Sequence, residues 1–234
     1  MKKKIIMYIA DTHIPYIHND YIDFVKAVKK KYKPQEIYHL GDLIDNHAIS
    51  YHESSPELFS AGDELEMSKD FIQELGKVCP KMVILQGNHD RLPIRKARTA
   101  GLPSRWIKEN SEVFDMPKGW IWKNEHTAEL GDGRKVWIRH QFCANPLDMA
   151  IRNDICIAQG HYHNKGRIDS LTDKYNNVWA MTVGCGIDDK SRAYEYNKLD
   201  KERPVLNVCV SINGIPYTEW MILDEENNWI GELK

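Results

Sequence analysis

The N-terminal part of the chain alternates between short β-branched or aromatic runs and longer segments with apolar residues at helical spacing. Strands are predicted over Lys4–Ala10, Glu36–Tyr38 and Met82–Leu85, and helices over about Asp20–Tyr32 and Glu64–Val78. Two strands that are joined through a helix lie parallel in one sheet, because such a connection is long enough to return the chain to the same end. The alternation therefore predicts an α/β fold with a parallel central sheet.

From about Val113 onward the pattern changes to short strands. They are predicted over residues 120–122, 127–130, 134–139, 155–158, 166–171, 178–183, 205–212 and 216–223, with one short helix from Asn145 to about Arg152. The basic segment Arg91–Asn110 is predicted to be helical in two pieces, split around Gly101-Leu102-Pro103. The charged segment Asp188–Arg203 has no clean periodicity and is predicted to be a surface loop.

The composition is that of a globular chain, since 42% of the 234 residues are hydrophobic and 28% are charged. This length suits one large α/β domain, so a single domain over residues 1–234 is expected. The apolar stretch Ile5–Ala10 is too short for a signal sequence. No run approaches the roughly 20 apolar residues that span a bilayer, so no membrane association is expected.

The cysteines indicate the redox state of the compartment, and the net charge indicates which kinds of binding partner to expect. The number of cysteines is odd and their spacing matches neither a zinc site nor a disulfide framework: Cys79, Cys143, Cys156, Cys185 and Cys209. This usage favours a reducing cytoplasm. The formal net charge of -2 indicates no global basic field, although a local basic groove is compatible with it.

Polar side chains follow five of the predicted strands at the point where each strand ends. The five endings are Asp11-Thr12-His13, Gly41-Asp42-Leu43-Ile44-Asp45, Gly87-Asn88-His89-Asp90, His140 and Gly160-His161-Tyr162-His163. An ordinary turn contact explains any one of them. Because α/β sheets assemble their sites at the carboxyl ends of strands, five such endings in order indicate one shared site.

In this order the five motifs resemble those of the calcineurin-like metallophosphoesterase superfamily. The superfamily has Asp-x-His, Gly-Asp-x-x-Asp, Gly-Asn-His-Asp or Glu, a lone His and Gly-His-x-His, and the resemblance covers about residues 4–185. It implies a four-layer α/β/β/α sandwich of two mixed sheets flanked by helices. Within the superfamily, the chain looks like the compact single-domain phosphodiesterases and the catalytic domain of repair exonucleases.

The resemblance also implies two divalent metal ions as cofactors. One ion would be held by Asp11, His13, Asp42 and His163, and the other by Asp42, Asn88, His140 and His161. Oxygen and imidazole ligands without thiolate suit manganese, iron, zinc, nickel or magnesium, and manganese is the first choice. Two such ions, bridged by Asp42, are implied to share a hydroxide that attacks the phosphorus atom.

Two further residues have catalytic roles by the same resemblance. His89 is implied to protonate the leaving oxygen, with Asp45 fixing the ring and sustaining its charge. Asp90 is either a support behind the ligands or a simple turn contact. No motif assigns a catalytic role to His39, His47, His52 or His126.

Residues next to the motifs indicate which class of phosphate ester the site binds. Protein phosphatases of the superfamily place Arg directly after Gly-Asp-x-x-Asp to hold a phosphomonoester, whereas this chain has Asn46. Beyond His89, the segment Arg91–Arg98 carries four cations, and Arg91 is predicted to bind a substrate phosphate together with Asn88. A solvated helix face is the alternative explanation for these cations.

The sequence therefore predicts a metal-dependent phosphodiesterase whose partner is a nucleotide or nucleic-acid phosphodiester. A phosphomonoesterase acting on nucleotides or phosphoproteins is the enzymatic alternative. A noncatalytic metal-bound scaffold is an alternative of another class. It is disfavoured because the chain keeps His89, Asp45 and every ligand position.

Overall fold

A computed structural model describes residues 3–51, 58–190 and 203–233 of the chain. The strands are β1 Ile5–Ile9, β2 Glu36–His39, β3 Met82–Leu85, β4 Trp120–Lys123, β5 Glu125–Glu129, β6 Lys135–Arg139, β7 Cys156–Gln159, β8 Arg167–Thr172, β9 Asn177–Thr182, β10 Asn207–Ile212 and β11 Ile215–Trp220. The α-helices are α1 Tyr21–Tyr32, α2 Ala61–Val78, α3 Leu92–Thr99, α4 Asn110–Val113 and α5 Pro146–Asn153. None of the helices in these residues is long and apolar enough to cross a membrane. His52 and most of the predicted loop Asp188–Arg203 lie outside the described residues.

The strands form two mixed sheets. The first has the order β11-β10-β1-β2-β3-β4 and the second the order β5-β6-β7-β9-β8. In the first sheet β1 to β4 are parallel neighbours, and β10 and β11 extend it by antiparallel pairing. In the second, β6, β7 and β9 are parallel, with β5 and β8 antiparallel at its edges. The parallel order β1-β2-β3 places the carboxyl ends of these three strands side by side.

Three clusters of buried apolar residues separate four layers. Met7 and Ile9 of β1 pack with residues of α1 and α2, whereas Ile6 and Tyr8 pack with residues of the second sheet. This alternation follows from the period of two along a strand, and burial of both faces explains the continuous apolar run. A third cluster around Ala150 joins α5 to the other face of the second sheet. The predicted α/β/β/α sandwich is confirmed.

The first two helices begin at positions other than those predicted. α1 begins one residue late, and the Asp20 carboxylate before it accepts a hydrogen bond from the backbone N–H of Trp229 (2.9 Å). α2 begins at Ala61, earlier than predicted, because Ser60 caps it: the Asp63 backbone N–H donates to Ser60 Oγ (3.2 Å). The Asp20 contact joins the start of α1 to a distant part of the chain, whereas the start of α2 is set by a local cap.

The basic segment after β3 differs from the prediction in its second half. α3 is the first predicted piece, and the chain turns at Gly101, whose φ of 73° is left-handed. The second predicted piece is a single 3-10 turn at Ser104–Trp106, and α4 follows with four residues. Pro103 lacks a backbone N–H and disfavours a helical residue before it, so the two pieces do not merge into one helix.

Candidate metal centre

The turns after β1 and β2 are hydrogen-bonded to each other at one edge of the first sheet. The Asp11 N–H donates to the Gly41 carbonyl (3.0 Å), and the His13 N–H donates to the Asp42 carbonyl (3.0 Å). Asp11, His13 and Asp42 have φ values of 50°, 46° and 49°. Left-handed backbone is uncommon outside glycine, and such positions concentrate at functional sites. These turns bring the first predicted ligands together.

One cluster of possible ligand atoms is formed by Asp11, His13 and His163, which lie within 4.8 Å of one another. The Nε2 atoms of His13 and His163 are 3.1 Å apart, and His163 Nε2 is 3.3 Å from Asp11 Oδ1. This buried carboxylate oxygen has no hydrogen-bond partner among the described residues. A buried oxygen without a donor, facing two imidazole nitrogens, fits a divalent cation.

A second cluster is formed by Asn88, His140 and His161. Asn88 Oδ1 is 2.9 Å from His140 Nε2 and 3.1 Å from His161 Nδ1, and the two ring nitrogens are 3.2 Å apart. Asp42 Oδ2 lies 3.2 Å from His140 Nε2 and 3.8 Å from His13 Nε2. Asp42 therefore faces both clusters, which is the position that the sequence predicts for a bridging ligand.

Two of the histidines are oriented through their other ring nitrogen. His13 Nδ1 lies 2.6 Å from Asp45 Oδ1, and His140 Nδ1 lies 2.9 Å from the Leu40 carbonyl oxygen. Each acceptor favours a proton on Nδ1 and leaves Nε2 as the lone-pair nitrogen that a metal ion requires. The contacts therefore support both rings as ligands through Nε2.

The electrostatics of the site favour positive charge. Burial alone would raise the pKa of Asp42, but the nearby His140 ring outweighs it and holds that pKa well below the usual range. Burial would lower the pKa of His13 and His140, yet the facing carboxylates raise these values to about 10 and about 9. The carboxylates that stabilise a protonated ring here stabilise a metal cation equally well.

His89 and Asp45, predicted as the catalytic pair, are in contact. His89 Nδ1 lies 2.7 Å from the Asp45 carbonyl oxygen and 3.1 Å from its Oδ1. Although burial lowers the pKa of His89, the hydrogen bond to Asp45 raises it overall. His47, to which no motif assigned a role, has its Nδ1 3.6 Å from Asp45 Oδ2. Asp45 thus lies between His13, His89 and His47.

Asp90 connects the turns that carry the ligands. Its carboxylate accepts hydrogen bonds from the backbone N–H groups of Asp42 (2.9 Å), Gly87 (2.8 Å) and Ile44 (3.2 Å). Burial and the nearby Asp42 raise its pKa to about 7. These contacts join the turn after β2 to the turn after β3. Of the two alternatives for Asp90, they therefore favour a residue that holds the ligand-bearing turns in position over a simple turn contact.

Comparison with known proteins identifies the family. The family model described as calcineurin-like phosphoesterase matches residues 5–197. The chain belongs to this family. A search of curated protein sequences finds no significant match.

Solved structures resemble this phosphoesterase in fold. Vps29 of Chaetomium thermophilum has 15% identity over 99% of this chain and 93% of its own, with a TM-score of 0.50. The same protein in complex with a cyclic peptide has 13% identity over 100% and 95%, with a TM-score of 0.51. YfcE, a phosphoesterase from E. coli, has 11% identity over 97% and 96%, with a TM-score of 0.44. At these identities, the likeness to Vps29 shows the fold alone.

Gly87 of the phosphoesterase has no room for a side chain. A Cβ there would lie 2.0 Å from Asp42 Oδ1 and 2.3 Å from the Asp42 backbone nitrogen, which cannot move independently of the turn. We expect Gly87→Ala to cost about 1–3 kcal/mol of stability and to weaken metal binding by displacing Asp42. Thermal melting and a metal titration measure the two effects.

The control for this substitution is Gly62→Ala in α2. The nearest atom to a Cβ at Gly62 is 3.7 Å away, so this change should stabilise the helix by up to about 1 kcal/mol. Equal melting temperatures for the two variants, with equal metal affinity, would contradict the close approach of Gly87 to Asp42.

A groove of about 580 Å³ opens beside the second cluster. It is lined by Asn88, His140 and four arginines, namely Arg91, Arg95 and Arg98 around α3 and Arg139 at the end of β6. The two predicted substrate-binding residues, Asn88 and Arg91, thus lie in one groove. Arg139 was not predicted as a groove residue; it directly precedes the motif residue His140, and its place in one groove with Asn88 depends on how the two sheets pack.

The side chains of two residues near the motifs, His39 and Asn46, form hydrogen bonds within the protein. His39 is buried, its Nε2 lies 3.1 Å from Thr12 Oγ1, and its Nδ1 accepts from the Gly41 N–H (3.3 Å). Burial lowers its pKa to about 3, so the neutral ring supports the turn. The Asn46 side-chain amide donates to the His89 carbonyl oxygen (3.0 Å). Neither residue presents a charged group to a substrate.

Proposed function

We propose that this phosphoesterase hydrolyses phosphodiesters of the nucleotide or nucleic-acid type. We propose further that it requires two divalent cations, with manganese as the first choice. The observation that carries the proposal is the arginine-lined groove that begins at Asn88 and His140. A phosphodiester substrate carries an ester group on each side of its phosphorus atom, so it needs a binding surface beyond the metal centre. The groove supplies that surface with cationic side chains.

The residues present fit a dinuclear centre. One ion would be held by Asp11, His13, Asp42 and His163, and the other by Asp42, Asn88, His140 and His161. When bound, two such cations neutralise the phosphoryl oxygens and lower the pKa of the attacking water. A donor set of oxygen and imidazole without thiolate suits manganese, iron, zinc, nickel or magnesium, and manganese is the ion we propose first.

The protein itself would supply the leaving-group proton and the substrate orientation. His89, whose Nδ1 contacts Asp45, would give a proton to the leaving oxygen. Asp45 holds the His89 ring through Nδ1 and stabilises its charge. Arg91 and Asn88 would bind the phosphoryl oxygens by hydrogen bonds, those from Arg91 being charge-assisted. The roles of His89 and Asp45 rest on their contact, and those of Arg91 and Asn88 rest on their position in the groove.

The position after Gly-Asp-x-x-Asp supports a diester over a phosphoprotein substrate. Asn46 carries no charge there, and its amide is hydrogen-bonded to the His89 carbonyl oxygen. The cations lie instead along α3 and at Arg139, where the group beyond the scissile bond would extend. A phosphomonoester lacks the second ester group of a diester and would leave part of the groove unused.

The scaffold alternative receives less support. The fold likeness to Vps29 carries no function at 13% and 15% identity. In this chain the pair His89 and Asp45 is in contact beside both ligand clusters. A protein that only bound metal for structure would not require this pair beside the ligands.

The proposed specificity is tested with two chromogenic substrates. Metal-stripped protein restored with manganese should hydrolyse bis(p-nitrophenyl) phosphate with a kcat/KM at least about tenfold above that for p-nitrophenyl phosphate, a difference of about 1.4 kcal/mol. Preference for the monoester would replace the diester proposal with a phosphomonoesterase. Hydrolysis of neither ester, with two metal ions bound, would favour the scaffold.

We also propose that the protein is a single domain that works in the cytoplasm. Its five cysteines are free thiols, and four of them are buried. Buried free thiols persist in a reducing compartment.

A further inference from the structure

The arginines on one wall of the groove form a row. Arg91 directly precedes α3, and Arg95 and Arg98 follow at spacings of four and three residues. Residues with this spacing lie on one face of a helix. At 1.5 Å of rise per residue, the row is about 10 Å long. Since Arg91 lies in the groove with Asn88, the row begins at the candidate metal centre and leads away from it.

No carboxylate neutralises this row within the residues that the structure describes. The Arg95 guanidinium lies over the Tyr51 ring, 5.1 Å from its centroid. Arg98 Nε donates to Ser104 Oγ (3.3 Å). Both contacts hold the side chains in place and leave their charge unpaired.

The fourth arginine of the groove is Arg139, at the end of β6 in the second sheet. Arg139 lies 6.0 Å from the Phe142 ring and forms no salt bridge with any described residue. Glu125 is the one acidic residue among those that line the groove, and it accepts a hydrogen bond from Trp137 Nε1 (3.3 Å). Four arginines against one glutamate give the groove a net positive charge in a chain whose overall charge is -2.

We propose that this row binds successive phosphates of a single-stranded nucleic acid on one side of the bond that is hydrolysed. The proposal rests on the diester activity proposed above and specifies its substrate. A row of about 10 Å is longer than one phosphodiester requires, so it can contact more than one phosphate of a strand. Unpaired guanidinium groups form charge-assisted hydrogen bonds with phosphate oxygens.

Apolar surface beside the row favours nucleic acid over a chain of phosphates alone. Ile94 lines the groove between the arginines, and Trp106, in the 3-10 turn that follows α3, is 69% exposed. Aromatic and apolar surface next to a cationic track is what binds the bases of single strands. Contacts to phosphate carry no base information, so the binding is independent of sequence.

The test measures binding of a short fluorescent single-stranded oligonucleotide to the full chain with manganese, in a His89→Ala background that slows turnover. Arg95→Ala/Arg98→Ala is compared with Arg152→Ala/Lys174→Ala, which removes the same charge from exposed residues on α5 and on the β8–β9 turn. Each pair is checked for folding by thermal melting. Competition with the matching duplex and with inorganic polyphosphate identifies the ligand class.

We expect the Arg95/Arg98 pair to weaken binding at least tenfold. It should also reduce the slope of log K against log salt by about 1.4, because each phosphate that an arginine neutralises on a single strand adds about 0.7 to that slope. The control pair should keep the wild-type slope. Equal affinities for the two pairs, tighter binding of the duplex, or equal competition by polyphosphate would each overturn the inference.

The activity of the unmodified protein separates this inference from the proposed function. Hydrolysis of bis(p-nitrophenyl) phosphate with binding that does not depend on Arg95 and Arg98 overturns the inference alone. Binding that depends on the row, without hydrolysis of the diester, overturns the proposed function and leaves the row as a strand-binding surface.

Discussion

Asp42→Asn is expected to lower kcat/KM for a phosphodiester by about three orders of magnitude and to prevent the binding of two metal ions. Asp42 Oδ2 lies 3.8 Å from His13 and 3.2 Å from His140, so it faces both ligand clusters. Asparagine keeps the size of the side chain and removes its charge. Loss of about 4 kcal/mol of electrostatic stabilisation in the transition state corresponds to about a thousandfold in rate.

Metal content and activity are measured on the same Asp42→Asn sample. Bound manganese should fall from two ions per chain to one or fewer. The loss of metal affinity should exceed the roughly 10–100-fold that is typical when a residue hydrogen-bonded to a metal ligand is replaced. Asp148→Asn, the same change at an exposed residue of α5, should alter neither quantity. Two tightly bound ions in Asp42→Asn would show that Asp42 is not shared between the two clusters.

His89→Ala is expected to lower kcat by about 10²–10⁴-fold on a diester with a poor leaving group, with little change in metal content. The His89 ring contacts Asp45 and belongs to neither ligand cluster proposed for the two ions. The loss should be smaller on bis(p-nitrophenyl) phosphate, because p-nitrophenolate leaves readily without a proton. A dinucleoside monophosphate provides the poor leaving group.

The dependence on the leaving group distinguishes a proton donor from a structural residue. A structural loss at His89 would lower both activities by the same factor and would also lower the melting temperature. His126→Ala is the matched control, since the His126 ring contacts Lys123 (3.1 Å) away from the ligand clusters. Unchanged turnover of the dinucleoside monophosphate by His89→Ala would remove His89 from the proposed mechanism.

The sequence predicts most of the site's geometry because the motifs are local. The parallel order β1-β2-β3 brings together the turns that carry Asp11, Asp42 and Asn88, whereas His140, His161 and His163 follow β6 and β7 of the second sheet. Asp11 and Asp42 adopt left-handed backbone in turns that the Asp-x-His and Gly-Asp motifs already mark. The convergence of the first three motifs therefore follows from strand order, and that of the last two depends on how the two sheets pack.

Features that depend on distant contacts could not be predicted. The start of α1 is affected by Asp20, whose carboxylate is hydrogen-bonded to Trp229 near the other end of the chain. The approach of His47 to Asp45 depends on Glu64 of α2, which accepts from the His47 backbone N–H (2.7 Å). Arg139 enters the groove through the packing of one sheet on the other. None of these contacts has a periodic or spacing signal.

Titration of metal-stripped, unmodified protein with manganese tests the proposed dinuclear centre most directly. Bound metal and hydrolysis of bis(p-nitrophenyl) phosphate are followed on the same sample. We predict that hydrolysis rises with added metal and reaches its plateau at two ions per chain. Hydrolysis that is complete before any metal is added, or a plateau at one ion per chain, would contradict a dinuclear phosphodiesterase.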